Sequence, residues 1–191
     1  MKKKNILYTI VRPLFVFFSK CFLTPKFIGL ENIPKEGRIV LAGTHTGILD
    51  SVILIASTKR QIHFLAKKEL FEGAFGFIFN NIGLIPVDRK GHTLDVISPA
   101  KKYLDKEEVV LVFPEGTFPK KGELLLPFKK GATRIAHESN TKIIPFVIKG
   151  KYRLWSRNLT IEFLKPYVVK TDNYEKETEN LRNIILKKKE S

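Results

Sequence analysis

Short runs of large apolar residues alternate with helical stretches along most of this chain, and that alternation restricts its fold more than any other feature. Arg38–Ala42, Ile62–Ala66, Leu84–Val87, Val109–Phe113, Ile143–Ile148 and Leu159–Leu164 read as strands. Most are short and rich in Val, Ile, Leu or Phe, as buried strands are. Between them Ile48–Ser57, Glu69–Asn80, a segment ending near Asp105, and Ala132–Glu138 read as helices. Glu177–Lys188 reads as a C-terminal helix, and Lys187, Lys188 and Lys189 suit the negative end of its dipole. Ser98-Pro99 either caps and begins a helix or marks a kink in a longer one. This order implies an α/β layer fold with a central, mostly parallel sheet flanked by helices. There is no internal repeat and no Gly/Ser linker, so residues 1–191 are expected to form a single domain with 38–150 as its core.

The segment before that core differs in kind. It contains no acidic residue until Glu31, while Lys2, Lys3, Lys4, Arg12, Lys20 and Lys26 all lie within it. Ile6, Leu7, Ile10, Val11, Leu14, Phe15, Phe17, Phe18 and Phe22 share the same stretch. A bilayer-crossing helix needs about 20 mostly apolar residues, and here Arg12, Pro13 and Lys20 interrupt the run. A signal peptide needs a small-residue cleavage site, which Ser19-Lys20-Cys21 does not offer. Residues 1–24 are therefore expected to form a helical segment lying in a membrane interface, with its cations among anionic headgroups. A core helix packed on the domain is the competing reading. The single cysteine, Cys21, excludes an intrachain disulfide and fits a reducing, cytoplasm-facing setting.

A net charge of +15 favours polyanionic partners: nucleic acid, anionic lipid or phosphate-bearing substrates. No nucleic-acid motif is present and the aromatic residues cluster in apolar runs, so nucleic acid is not expected. The distinctive polar residues follow strands: His45 and Asp50 the first, Asp88 and Arg89 the third, Glu115 and Thr117 the fourth. Ligand sites of open α/β sheets form beyond the carboxyl ends of the strands, so these segments are expected to converge on one edge.

Within Gly43-Thr44-His45-Thr46-Gly47-Ile48-Leu49-Asp50, His45 and Asp50 would diverge on a continuous helix. They meet if His45 sits on a turn and Asp50 on the first turn of the helix after it. A carboxylate bonded to one imidazole nitrogen fixes the tautomer and leaves the other nitrogen as a general base. No Gly-x-Ser-x-Gly elbow is present, which favours direct attack by an acceptor hydroxyl over a covalent intermediate. His63, His92 and His137 show no metal-ligand spacing with His45, so no metal is expected.

Three further blocks follow in order: Gly83-Leu84-Ile85-Pro86-Val87-Asp88-Arg89, Phe113-Pro114-Glu115-Gly116-Thr117 and Ile144-Pro145-Phe146-Val147. With the His-x4-Asp block, they resemble the four signature blocks of the glycerolipid acyltransferase family, which includes the 1-acylglycerol-3-phosphate acyltransferases. Phe128-Lys129-Lys130-Gly131-Ala132 resembles the segment that follows the third block. The resemblance implies His45 as general base and Asp50 as its orienter. It also implies a phosphate-bearing acceptor bound by Arg89, Glu115, Gly116 and Thr117, with Lys129 and Lys130 nearby. Guanidinium suits that role because it binds phosphate oxygens bidentately. The implied donor is acyl-CoA or acyl carrier protein, and the implied acceptor is lysophosphatidate, another lysophospholipid or glycerol 3-phosphate. The implied setting is the cytoplasmic face of a membrane, and no metal or prosthetic group is implied. The family's third block usually continues with arginine, where this chain has Phe118; Lys120, Lys121, Lys129 or Lys130 are the candidates to replace that charge.

Overall fold

The computed structural model describes residues 6–73, 76–87, 96–120, 122–155 and 157–191. Helix α1 (Ile6–Phe18) runs on through a π-helical turn, Ser19–Leu23. The elements that follow are β1 (Lys26–Ile28), β2 (Ile39–Gly43), α2 (Leu49–Ser57), β3 (Ile62–Lys67), α3 (Gly76–Asn81), β4 (Ile85–Val87), α4 (Ile97–Leu104), β5 (Val109–Val112), α5 (Gly131–Glu138), β6 (Lys142–Lys149), β7 (Thr160–Phe163) and α6 (Tyr174–Glu190).

The strands form one seven-stranded sheet in the order β1-β7-β6-β2-β5-β3-β4. Only the β6–β7 pair is antiparallel among the described residues; β2 lies parallel between β5 and β6. Alternation along each inner strand divides the core into two layers. Ile39, Leu41, Val109, Leu111, Ile144 and Phe146 face the side covered by α1 and α2. Val40, Ala42, Val110, Val112, Ile143 and Val147 face the side covered by α4, α5 and α6. Each large side chain buried this way contributes about 1.5–3 kcal/mol, and covering both faces suits parallel strands.

Two sequence expectations are corrected here. The helix expected over Glu69–Asn80 is instead a 3₁₀ turn, Lys68–Phe71, followed by the short α3. Gly73 lies between them and is a poor residue for a helix interior. The stretch between Pro25 and Pro34, which its two prolines mark as a loop in the sequence, instead holds β1 and a 3₁₀ turn, Leu30–Asn32, and β1 lengthens the sheet by pairing with β7.

Candidate active site

Strand β2 ends at Gly43, where a Cβ would lie 2.1 Å from the Phe146 carbonyl oxygen, so only glycine fits this close crossing. The next residue, Thr44, is fully buried, and its hydroxyl accepts a hydrogen bond from the Ile148 amide at 2.9 Å. That bond carries the β2–β6 pairing one residue further and fixes the direction in which His45 leaves the sheet.

Asp50, in the first turn of α2, is fully buried. Its carboxylate accepts from His45 Nδ1 at 2.8 Å, the Thr46 amide at 2.6 Å, the Thr46 hydroxyl at 2.8 Å and the Gly47 amide at 3.0 Å. The Tyr152 hydroxyl is a fifth donor. Burial alone would push this carboxyl's pKa up. The bonds from His45, Tyr152, Gly47 and Thr46 outweigh it and hold the group below its ordinary value. For Tyr152 both effects act in one direction: burial, then the Asp50 charge it serves, raise the phenol. Tyr152 therefore stays a hydrogen-bond donor.

The His45 ring stacks on Phe113, with centroids 3.7 Å apart and planes 9° from parallel, and Phe118 lies 4.3 Å away at a tilt of 49°. With Nδ1 donating to Asp50, Nε2 is the nitrogen able to accept a proton. The His45 backbone is held as firmly, because its amide donates to Glu115 Oε1 at 2.9 Å. The other Glu115 oxygen accepts from the Leu126 amide at 2.9 Å. Glu115 thus ties the turn after β5 to the turn after β2 and to the loop ahead of α5.

The sequence-named residues fall into three groups. His45, Asp50, Glu115 and Gly116 come together at the ends of β2 and β5. Gly116 has φ +70°, and a Cβ there would lie 3.1 Å from Lys129 Nζ, so the Lys129 side chain runs along this turn, while Thr117 lies exposed at its outer side. Glu115 is 3% exposed, with its carboxylate engaged by two backbone amides, and the Lys130 ammonium pairs with Glu175 of α6. Arg89 and Asp88 lie outside the described residues, as do His92 and Lys121. Among the described residues no cluster of three or more His, Cys, Asp or Glu side chains is placed to hold a metal ion. Tyr152 was invisible to sequence reasoning: it lies 102 positions from Asp50 and in none of the four blocks.

A family model for acyltransferases matches residues 24–149. The chain belongs to the acyltransferase family. It is 34% identical over 141 residues to the 1-acyl-sn-glycerol-3-phosphate acyltransferase of Helicobacter pylori, an alignment covering 71% of this chain and 60% of that enzyme. Against the enzyme of the same name from Bacillus subtilis it is 34% identical over 127 residues, covering 65% of this chain and 62% of the relative. The Borreliella burgdorferi enzyme is 29% identical over 177 residues, covering 85% and 70%. The chain thus spans about 60% of the length of the first two relatives. The crystal structure of the 1-acyl-sn-glycerophosphate (LPA) acyltransferase PlsC from Thermotoga maritima shares the fold of this acyltransferase. The TM-score is 0.75 at 20% identity, over all of this chain and 83% of that one.

Proposed function

We propose that the chain transfers a fatty acyl group from acyl-CoA or acyl carrier protein to the free hydroxyl of lysophosphatidate, giving phosphatidate. The observation that carries this reading is the His45–Asp50 pair, a buried carboxylate holding one ring nitrogen while the other is left for chemistry. His45 Nε2 takes the acceptor's hydroxyl proton as the oxygen attacks the thioester carbonyl. The tetrahedral intermediate then expels the thiolate, which leaves as a thiol with the proton from the imidazolium. Asp50 stabilises the imidazolium, Glu115 positions the His45 backbone, and Gly116, Thr117, Lys129 and Arg89 serve the acceptor.

A second reading keeps the reaction and changes the acceptor to another lysophospholipid or to glycerol 3-phosphate. It is favoured by Phe118, an aromatic ring against His45 at the position where the resemblance to the family's third block implies arginine. In both readings the enzyme works on the cytoplasmic face of a membrane, and the exposed apolar side of α1 supports that setting.

Turnover with acyl-CoA and a panel of lysophosphatidate, lysophosphatidylcholine and glycerol 3-phosphate tests the proposal. His45→Ala should lower the rate by about 10²–10⁴-fold, the range of general-base catalysis, with unchanged thermal unfolding. A well-folded His45→Ala protein with full activity would sink the mechanism. Preference for lysophosphatidylcholine or glycerol 3-phosphate over lysophosphatidate would sink the substrate assignment.

A further inference from the structure

We propose that Lys189, at the end of α6, is a ligand for the acceptor's phosphate and supplies the cation that Phe118 leaves missing. This rests on the acyltransferase reading above and goes beyond its four blocks, which end some forty residues earlier.

The placement follows from a chain of contacts. Arg182 Nε donates to the Leu126 carbonyl at 3.3 Å, and the Leu126 amide in turn donates to Glu115. Lys189 follows Arg182 by seven residues, so it lies on the same face of α6, about 10 Å further along the axis. Two contacts pin the last turn of α6 beside the end of the sheet. Lys188 pairs with Glu162 of β7 at 2.8 Å, and Lys149, the last residue of β6, donates to the Ser191 hydroxyl at 3.4 Å. β6 is the neighbour of β2, the strand that delivers His45.

The surroundings of Lys189 suit a group that binds an anion. It is half-buried, and among the described residues its ammonium makes no hydrogen bond or ion pair, whereas Lys130 and Lys188 each have a carboxylate partner. Burial lowers its pKa, and the carboxylates whose charges reach it in opposition are Glu115 and Asp50. Neither is free to pair with it, since the first is committed to two amides and the second to five donors. A partly desolvated ammonium without a partner gains most from a phosphate oxygen.

The experiment compares Lys189→Met, Lys189→Arg and, as a control on the same turn, Lys187→Met. Three constants are measured for each: KM for lysophosphatidate, KM for acyl-CoA, and KM for a monoacylglycerol acceptor without phosphate. A titration of hexanoyl lysophosphatidate followed by phosphorus NMR gives affinity independently of turnover. Lys189→Met should weaken the phosphorylated acceptor and the NMR probe by about tenfold, as loss of a charged hydrogen bond does. It should leave the donor and the unphosphorylated acceptor unchanged. Lys189→Arg should restore most of the affinity, and Lys187→Met should resemble wild type.

Wild-type probe affinity in Lys189→Met overturns the proposal. So does a raised KM for acyl-CoA alone, or equal weakening by Lys187→Met. If wild type transfers no acyl group yet probe binding depends on Lys189, the acyltransferase reading falls and the phosphate site stands. If transfer is seen and probe binding ignores Lys189, the reverse holds.

Discussion

Asp50 is a charge that the fold has removed from water, and it survives there because five donors converge on two oxygens. Four of the donors come from within five residues of it, on the His45–Gly47 turn. The fifth, Tyr152, comes from the loop after β6 and is the only one of the five that couples the pair to distant structure. Removing that hydroxyl leaves Oδ1 with the Thr46 hydroxyl alone and loosens the carboxylate that aims the ring. Tyr152→Phe should therefore lower kcat about tenfold with little change in either KM, and should cost about 1–3 kcal/mol of stability. Steady-state kinetics and urea unfolding measure the two effects. Loss of stability with an unchanged kcat would make Tyr152 a purely structural residue. Glu115 has a parallel role, for its carboxylate also acts through the backbone, holding the amide of His45 as Asp50 holds its ring.

Helix α6 shows how an element is set by its ends. Asn173 caps it, its side chain accepting from the Lys176 amide at 3.1 Å. Glu177, one turn in, is bonded by the Tyr167 hydroxyl and by the Lys170 and Thr171 amides, both at 3.1 Å. Asn173→Ala should lower stability by about 1 kcal/mol, the usual cost of a lost cap, seen as a shift in urea midpoint with unchanged slope. An unchanged midpoint would mean the Glu177 contacts alone hold this end. The cap also explains why α6 starts at Tyr174, ahead of the Glu177 at which apolar spacing begins the helix. The inner strands were legible because Val, Ile and Leu runs reflect burial on two faces. β1 was not, because Lys26–Ile28 is strand only by virtue of its pairing with β7. The meeting of His45 and Asp50 was legible too, since a glycine-flanked turn running into a helix start is the local geometry that joins them. Tyr152 reaches the site through tertiary packing, which leaves no spacing to read in the chain.

On the scale of the whole molecule, α1 is divided lengthwise. One side docks on the domain: the Tyr8 hydroxyl donates to the Arg60 carbonyl at 3.1 Å, and Arg12 donates to the Thr58 carbonyl at 2.7 and 3.1 Å. The other carries Ile6, Ile10, Leu14 and Phe17, each 61–78% exposed. Ile6–Leu23 is long and apolar enough to cross a bilayer by length and composition, whereas the sequence expectation takes Arg12, Pro13 and Lys20 to interrupt such a run. Its sole cation between Ile6 and Phe18, Arg12, is turned inward, away from that apolar side. Ile10→Asp combined with Leu14→Asp should abolish most cosedimentation with anionic vesicles while leaving thermal unfolding unchanged. Vesicle binding equal to wild type would move the anchor elsewhere. The strand order has a different consequence. β2, the strand that carries His45, lies at residues 39–43, but its two neighbours are made of residues 109–112 and 142–149. Such long-range parallel pairing is slow to form and aggregation-prone while it waits. In a refolding chain this strand, buried along its whole length in the native fold, stays unpaired until distant segments arrive, so recovery of native protein should fall as protein concentration rises.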